Sequence, residues 1–171
     1  AGIFYFLRTP TYTNHPPQNE TIVAFGDSLV EGKGSTSGND FVSLLSKKIN
    51  KPILNLGISG NTTQDGLARL DRVTDTQPGT VLLLLGGNDY LQKVEKKKTF
   101  KNLEQIIQTL QSKGIFVILL GIRGGILTDS FDGDFANLAD KMHVPYVPNV
   151  LSGLYGNQQY MSDAVHPNDR G

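Results

Sequence analysis

Apolar residues in this chain gather into five short runs, at positions 22–25, 53–56, 80–86, 115–120 and 144–147. The first three are closed by Gly26, Gly57 and Gly86, and polar residues follow each. Runs of this length, bounded by turn residues, predict buried strands. Positions 81–85 are apolar without a break, as in a central parallel strand covered on both faces. Pro145 suits the last run to an edge. Between the runs the spacing turns helical. Phe41, Leu44, Leu45 and Ile49 form one such face, with Asn39 or Asp40 as its cap. Thr62 and Asp65 have the spacing of a capping box, so a helix starts there and carries Leu67 and Leu70 inward. Phe100, Leu103, Ile106, Ile107 and Leu110 share a face that Gly114 ends. Phe131, Phe135, Leu138, Ala139 and Met142 repeat in the same way. Strand and helix alternate five times without an internal repeat. The expected fold is α/β, a doubly wound five-stranded parallel sheet of flavodoxin-like, three-layer layout, with the first strand inside the sheet.

A chain of 171 residues makes one domain and buries roughly 70% of its unfolded surface. The domain is expected over 21–171. Positions 1–20 read as an apolar stub, Ile3 to Leu7, and a linker containing Pro10, Pro16 and Pro17. The stub is too short to span a bilayer, which takes ~20 apolar residues. A stub and linker point to an exported or membrane-tethered parent protein. Basic and acidic residues balance at 16 each, so nothing indicates nucleic acid as a partner. The basic run at 93–101 reads as a solvated loop and helix start. With no cysteine, disulfides, thiolate metal sites and cysteine nucleophiles are excluded together. The pattern assigns no oligomeric state.

Candidate chemistry collects where the strands end. Ser28 follows the first strand, flanked by Asp27 and Leu29. A lone serine there is ordinarily a helix cap. Gly32, Gly34, Ser35, Ser37 and Gly38 then predict a flexible loop that fits neither phosphate-binding glycine motif. Gly60 lies in the turn after the second strand and Asn88 in the turn after the third. His166 follows the fifth, with Asp163 three residues before it. A parallel sheet brings these turns to one carboxyl edge, where α/β proteins bind ligands. A serine hydroxyl needs a base, and imidazole is the natural one at neutral pH. Asp163 can accept the other imidazole proton. The Ser28 and Gly60 backbone N–H groups and the Asn88 amide can donate to a tetrahedral oxyanion. His143, expected on the buried approach to the fifth strand, and His15, in the linker, compete poorly as the base.

The segments G-D-S-L at 26–29, I-S-G-N-T at 58–62, G-G-N-D at 86–89 and D-A-V-H-P at 163–167 resemble the four blocks of the SGNH (GDSL) hydrolase family. Positions 55–70, with G-I-R-G-G at 121–125, resemble its branch of bacterial thioesterase I/lysophospholipase L1 and arylesterases. The resemblance implies Ser28 as nucleophile, Asp163 and His166 completing a triad, an oxyanion hole of Ser28, Gly60 and Asn88, and Asp27 supporting the turn. It implies a serine hydrolase of acyl esters or thioesters with a small or lipid-like substrate, no cofactor and no metal. Leu29, Val30, Tyr90, Ile126 and Leu127 are candidates to pack an acyl chain. In this family the chain normally continues past position 171 into a last helix. Two alternatives stand beside this reading. One is a carbohydrate O-deacetylase using the same residues. The other is a non-catalytic signalling domain in which Asp27, Asp89 and Asp163 hold magnesium. The G-x-S-x-G elbow of α/β-hydrolases is absent.

Overall fold

The computed structural model describes residues 11–122 and 131–171. Strands β1 (Ile22–Gly26), β2 (Ile53–Gly57), β3 (Thr80–Leu84), β4 (Phe116–Leu120) and β5 (Tyr146–Val147) form one sheet. Every pairing is parallel, and the order is β2-β1-β3-β4-β5. β1 is bonded on both sides, Ile22 lying opposite both Ile53 and Thr80. The chain leaves β1 toward β2 and resumes on its other flank with β3. That reversal opens a crevice at the carboxyl ends of β1 and β3.

Seven helices connect the strands among the described residues: α1 (Ser28–Glu31), α2 (Phe41–Ile49), α3 (Thr63–Ala68), α4 (Asp71–Thr74), α5 (Gly87–Leu91), α6 (Lys96–Ser112) and α7 (Asp132–Met142). Side-chain caps set the starts of the first three. Asp40 caps α2 by accepting from the Ser43 N–H at 2.8 Å. Thr62 and Asp65 form the reciprocal capping box of α3. Part of the core lies between the sheet and α6 and α7. Val23, Phe25, Val81, Leu83 and Leu85 are sealed there with Leu103, Ile106, Ile107, Leu110 and Phe135. Rings of Phe100, Phe131 and Phe135 meet edge to face at its margin.

Three local expectations change. On α2 the buried residue is Val42, while Phe41, Leu44 and Ile49 are exposed. This helix lies on the edge strand β2, which itself exposes Leu54, so only a narrow stripe of it reaches the core. His143 is exposed; it ends α7 in a left-handed conformation rather than sitting on a buried approach. The glycine-rich loop at 32–38 is tied down. The Thr36 N–H and hydroxyl donate to Asp169 at 2.6 and 2.7 Å, and the Asn39 amide donates to the same carboxylate. The proline-containing segment is also docked where it is described. Asn14 donates to the Gln111 and Ile115 carbonyls, and the His15 ring meets Phe116 edge-on.

Candidate active site

The turn after β1 distributes its work between two residues. Asp27, not Ser28, caps α1, its Oδ1 accepting from the Leu29 N–H at 3.0 Å. That leaves the Ser28 hydroxyl unclaimed by the helix. It lies 2.9 Å from His166 Nε2, across 138 positions of sequence. Both residues are buried.

His166 is delivered by a turn that organises itself. Asp163 Oδ1 accepts from the Val165 and His166 N–H groups at 2.9 and 2.8 Å. Its Oδ2 lies 2.7 Å from His166 Nδ1. The Val165 N–H first, then the His166 imidazole and the His166 N–H, hold the Asp163 carboxyl down at about 2. The ionised carboxylate accepts the Nδ1 proton, leaving Nε2 as acceptor for the Ser28 hydroxyl. The segment is pinned by the Ser162 N–H and hydroxyl on the His166 carbonyl and by a bridge between Met161 and Pro167. Gly34 presses against it with φ +98°. A methyl group there would lie 2.4 Å from Ser162 Oγ and 2.5 Å from the Pro167 carbonyl oxygen. Side chains larger than hydrogen are excluded where the two loops meet.

Gly60 and Asn88 lie across the crevice from this pair. Gly60 has φ +80°, and no atom lies within 4 Å of where its Cβ would be. Conformation, not space, calls for glycine. Among the described residues no acceptor within the protein is found for the Ser28 or Gly60 N–H. The Asn88 amide donates to the Asn61 carbonyl at 3.0 Å, and its contact with Asp27 Oδ2 is long, at 3.4 Å. One amide hydrogen therefore orients the side chain and the second is weakly held. The Gly60 turn is braced on both flanks. Glu31 accepts from the Ser59 N–H and hydroxyl. Arg69, stacked on Phe25, donates to Asn61 Oδ1 at 2.6 Å and to the Leu56 and Gly26 carbonyls. Asp27 is buried close by, and burial pushes its carboxyl up to about 6, against the Leu29 N–H and the His166 charge, which pull it down.

Residues 24–171 match the GDSL-like Lipase/Acylhydrolase family. The chain belongs to that family. It is 33% identical over 158 residues to thioesterase 1/protease 1/lysophospholipase L1 of Escherichia coli (strain K12), covering 87% of this chain and 76% of that protein. It is 31% identical to esterase TesA of Pseudomonas aeruginosa, covering 86% of this chain and 80% of that protein. The crystal structure of AlinE4, an SGNH-hydrolase family esterase, superposes with a TM-score of 0.78 at 34% identity, covering 90% of this chain and 89% of that one. The protein is accordingly a carboxylic-ester hydrolase of the GDSL/SGNH type, with the α/β fold of SGNH hydrolases.

This GDSL hydrolase has a cavity of about 300 Å³ over Ser28. Ser28, Gly60, Asn88 and His166 are on its wall with Asp27, Lys33 and Ser59; Leu29, Tyr90, Leu91, Ile122, Tyr155 and Val165 supply its apolar and aromatic lining. Of the candidate acyl contacts, Leu29 and Tyr90 are therefore on the cavity wall. Val30 is fully buried and not on that wall. Ile126 and Leu127, with most of the G-I-R-G-G stretch, lie outside the described residues. Asp27, Asp89 and Asp163 do not converge: among the described residues no three His, Asp or Glu side chains form a metal-holding group. Sequence reasoning missed Tyr155, Arg69, Thr36 and Asp169. Arg69 stands within the matched 55–70 stretch, but its three acceptors, Gly26, Leu56 and Asn61, are brought together only by the fold.

Proposed function

We propose that Ser28 is the nucleophile of an acyl-ester and thioester hydrolase, with His166 as its general base and Asp163 as the partner that orients His166. The observation that carries this is the 2.9 Å separation of Ser28 Oγ from His166 Nε2, with Asp163 closing the line at 2.7 Å. Nε2 takes the hydroxyl proton as Oγ adds to the acyl carbonyl. The oxygen that becomes negative lies against the Ser28 and Gly60 N–H groups and the Asn88 amide. Nε2 then protonates the departing alkoxide or thiolate. Water, deprotonated by the same nitrogen, releases the acid and restores Ser28.

The apolar wall of Leu29, Tyr90, Ile122, Tyr155 and Val165 supports an acyl group of short to medium length, because a cavity of about 300 Å³ is at the small end for ligand sites, roughly 300–1,000 Å³. The test is a graded series of acyl esters and thioesters with Ser28→Ala as blank, beside acetylated sugars. Turnover that peaks at intermediate chain length and vanishes in the blank is expected. Selective turnover of acetylated sugar would assign the deacetylase reading, and full activity in Ser28→Ala would remove the serine mechanism. A parent protein that is exported or tethered is supported by the apolar positions 3–7 ahead of a proline-containing stretch; fractionation of the native host checks it. No helix among the described residues is long and apolar enough to cross a membrane.

A further inference from the structure

Asp89 follows Asn88 directly, yet its carboxylate takes no part in the chemistry just described. It is fully buried. Among the described residues no lysine, arginine or histidine pairs with it. A buried carboxylate without a cation is costly to keep unless neutral donors satisfy it. Here three do. Oδ2 accepts from the Thr63 N–H at 2.8 Å, and Oδ1 accepts from the Thr63 hydroxyl at 2.6 Å and the Thr99 hydroxyl at 3.2 Å. The Thr63 oxygen accepts in turn from the Asn102 amide at 3.1 Å. All four residues are buried.

The location of this network is informative. Thr63 is the first residue of α3 and continues directly from the Gly60–Asn61–Thr62 turn. Asp89 sits on α5, one position from Asn88. The two oxyanion donors that the nucleophile does not supply thus come from separate turns, and a two-pronged carboxylate bond ties those turns together. The Asn88 amide bond to the Asn61 carbonyl spans the same gap from the cavity side. Substrate cannot reach Asp89.

We propose that Asp89 is a positioning residue that sets the spacing between the Gly60 N–H and the Asn88 amide, so that both donors meet one oxyanion. This rests on the Ser28 mechanism proposed above. Donors must lie within a few tenths of an ångström of where the charge develops, and loss of one costs roughly 100- to 1000-fold in rate. Asp89→Asn keeps the shape but turns one acceptor atom into a donor, so the Thr63 hydroxyl, which already accepts from Asn102, loses the acceptor for its own proton and one prong of the tie is lost.

The test is a double-mutant cycle with Asn88→Ala, read as kcat and KM on one acyl ester. Asp89→Asn is expected to lower kcat roughly 10- to 100-fold with KM changed less than about 3-fold. In the Asn88→Ala background it is expected to lower kcat by less than about 3-fold, because the second donor is already gone. Equal factors in both backgrounds, or a rise in KM that accounts for the whole loss, would overturn the proposal. Should Asp89→Asn not fold, Thr63→Val carries the same cycle. It removes the hydroxyl, both donor to Asp89 and acceptor of the Asn102 amide, and keeps the backbone bond. Ser28→Ala separates the two levels. If it is inactive while the factors are equal, positioning by Asp89 fails alone; if it retains turnover, the mechanism beneath it fails.

Discussion

Asp27→Asn is the substitution whose effect the structure specifies most closely. The carboxyl titrates near 3.9 in an open chain and at about 6 in the fold, burial being the main cause. The folded protein therefore holds the proton more tightly than the unfolded chain does. Where the folded state binds more protons, stability falls as pH rises. The penalty is absent below pH 4, grows between about 4 and 6, and is constant above. A difference of about two pH units corresponds to about 3 kcal/mol of penalty at pH 7. The asparagine variant carries no charge and escapes it. Its Oδ1 can still accept from the Leu29 N–H, but its amino group faces the Asn88 amide, now 3.4 Å from Asp27 Oδ2. That local conflict adds an offset that does not change with pH. Urea unfolding of both proteins from pH 4 to 8 separates the two contributions. Stability of the variant minus that of the parent is expected to climb between pH 4 and 6 and then level off. A difference that stays flat within about 0.5 kcal/mol, well below the linkage term, would refute the argument. In a His166→Gln background the climb is expected at higher pH, because the imidazolium charge that lowers the Asp27 value is gone.

Other outcomes follow from single contacts. Asn88→Ala is expected to cost roughly 100- to 1000-fold in kcat with little change in KM, measured by steady-state kinetics. Gly34→Ala places a methyl against Ser162 and Pro167 at φ +98°. It is expected to move His166 away from Ser28, with loss of fluorophosphonate labelling in a protein whose circular dichroism stays native. Phe135→Ala removes a fully buried ring and is expected to cost about 3–5 kcal/mol of stability in chemical denaturation. Tyr155→Ala widens the cavity wall and is expected to shift the preferred ester toward longer acyl chains in a competition assay.

The elements that pattern alone can set were legible in the sequence. The run at 80–86 had no alternation, so burial on both faces followed, and β3 is indeed interior. The Thr62–Asp65 spacing located the start of α3 because that cap is wholly local. Ser28, Gly60, Asn88 and His166 were legible because parallel strands put their carboxyl ends together. The face of α2 was not. Helical spacing shows which residues share a side but not how much sheet lies beneath that side, and α2 lies on an edge strand. The glycine-rich loop looked mobile because its anchor, Asp169, is more than 130 positions away. Arg69 carried no local mark, since its partners belong to other elements, and Tyr155 none, since the cavity it lines is assembled only by the fold.

The carboxylate and the imidazole of the proposed triad belong to the same four-residue turn, and the serine comes from the far end of the chain. If the 162–167 segment swings outward, Asp163 and His166 travel as one piece. The ring keeps its tautomer and its short bond to the acid while the hydroxyl is left behind. An idle conformer of this kind would give the same low-field imidazole proton signal as the working one. The difference would appear only at Ser28, as a fall in how fast it is phosphonylated.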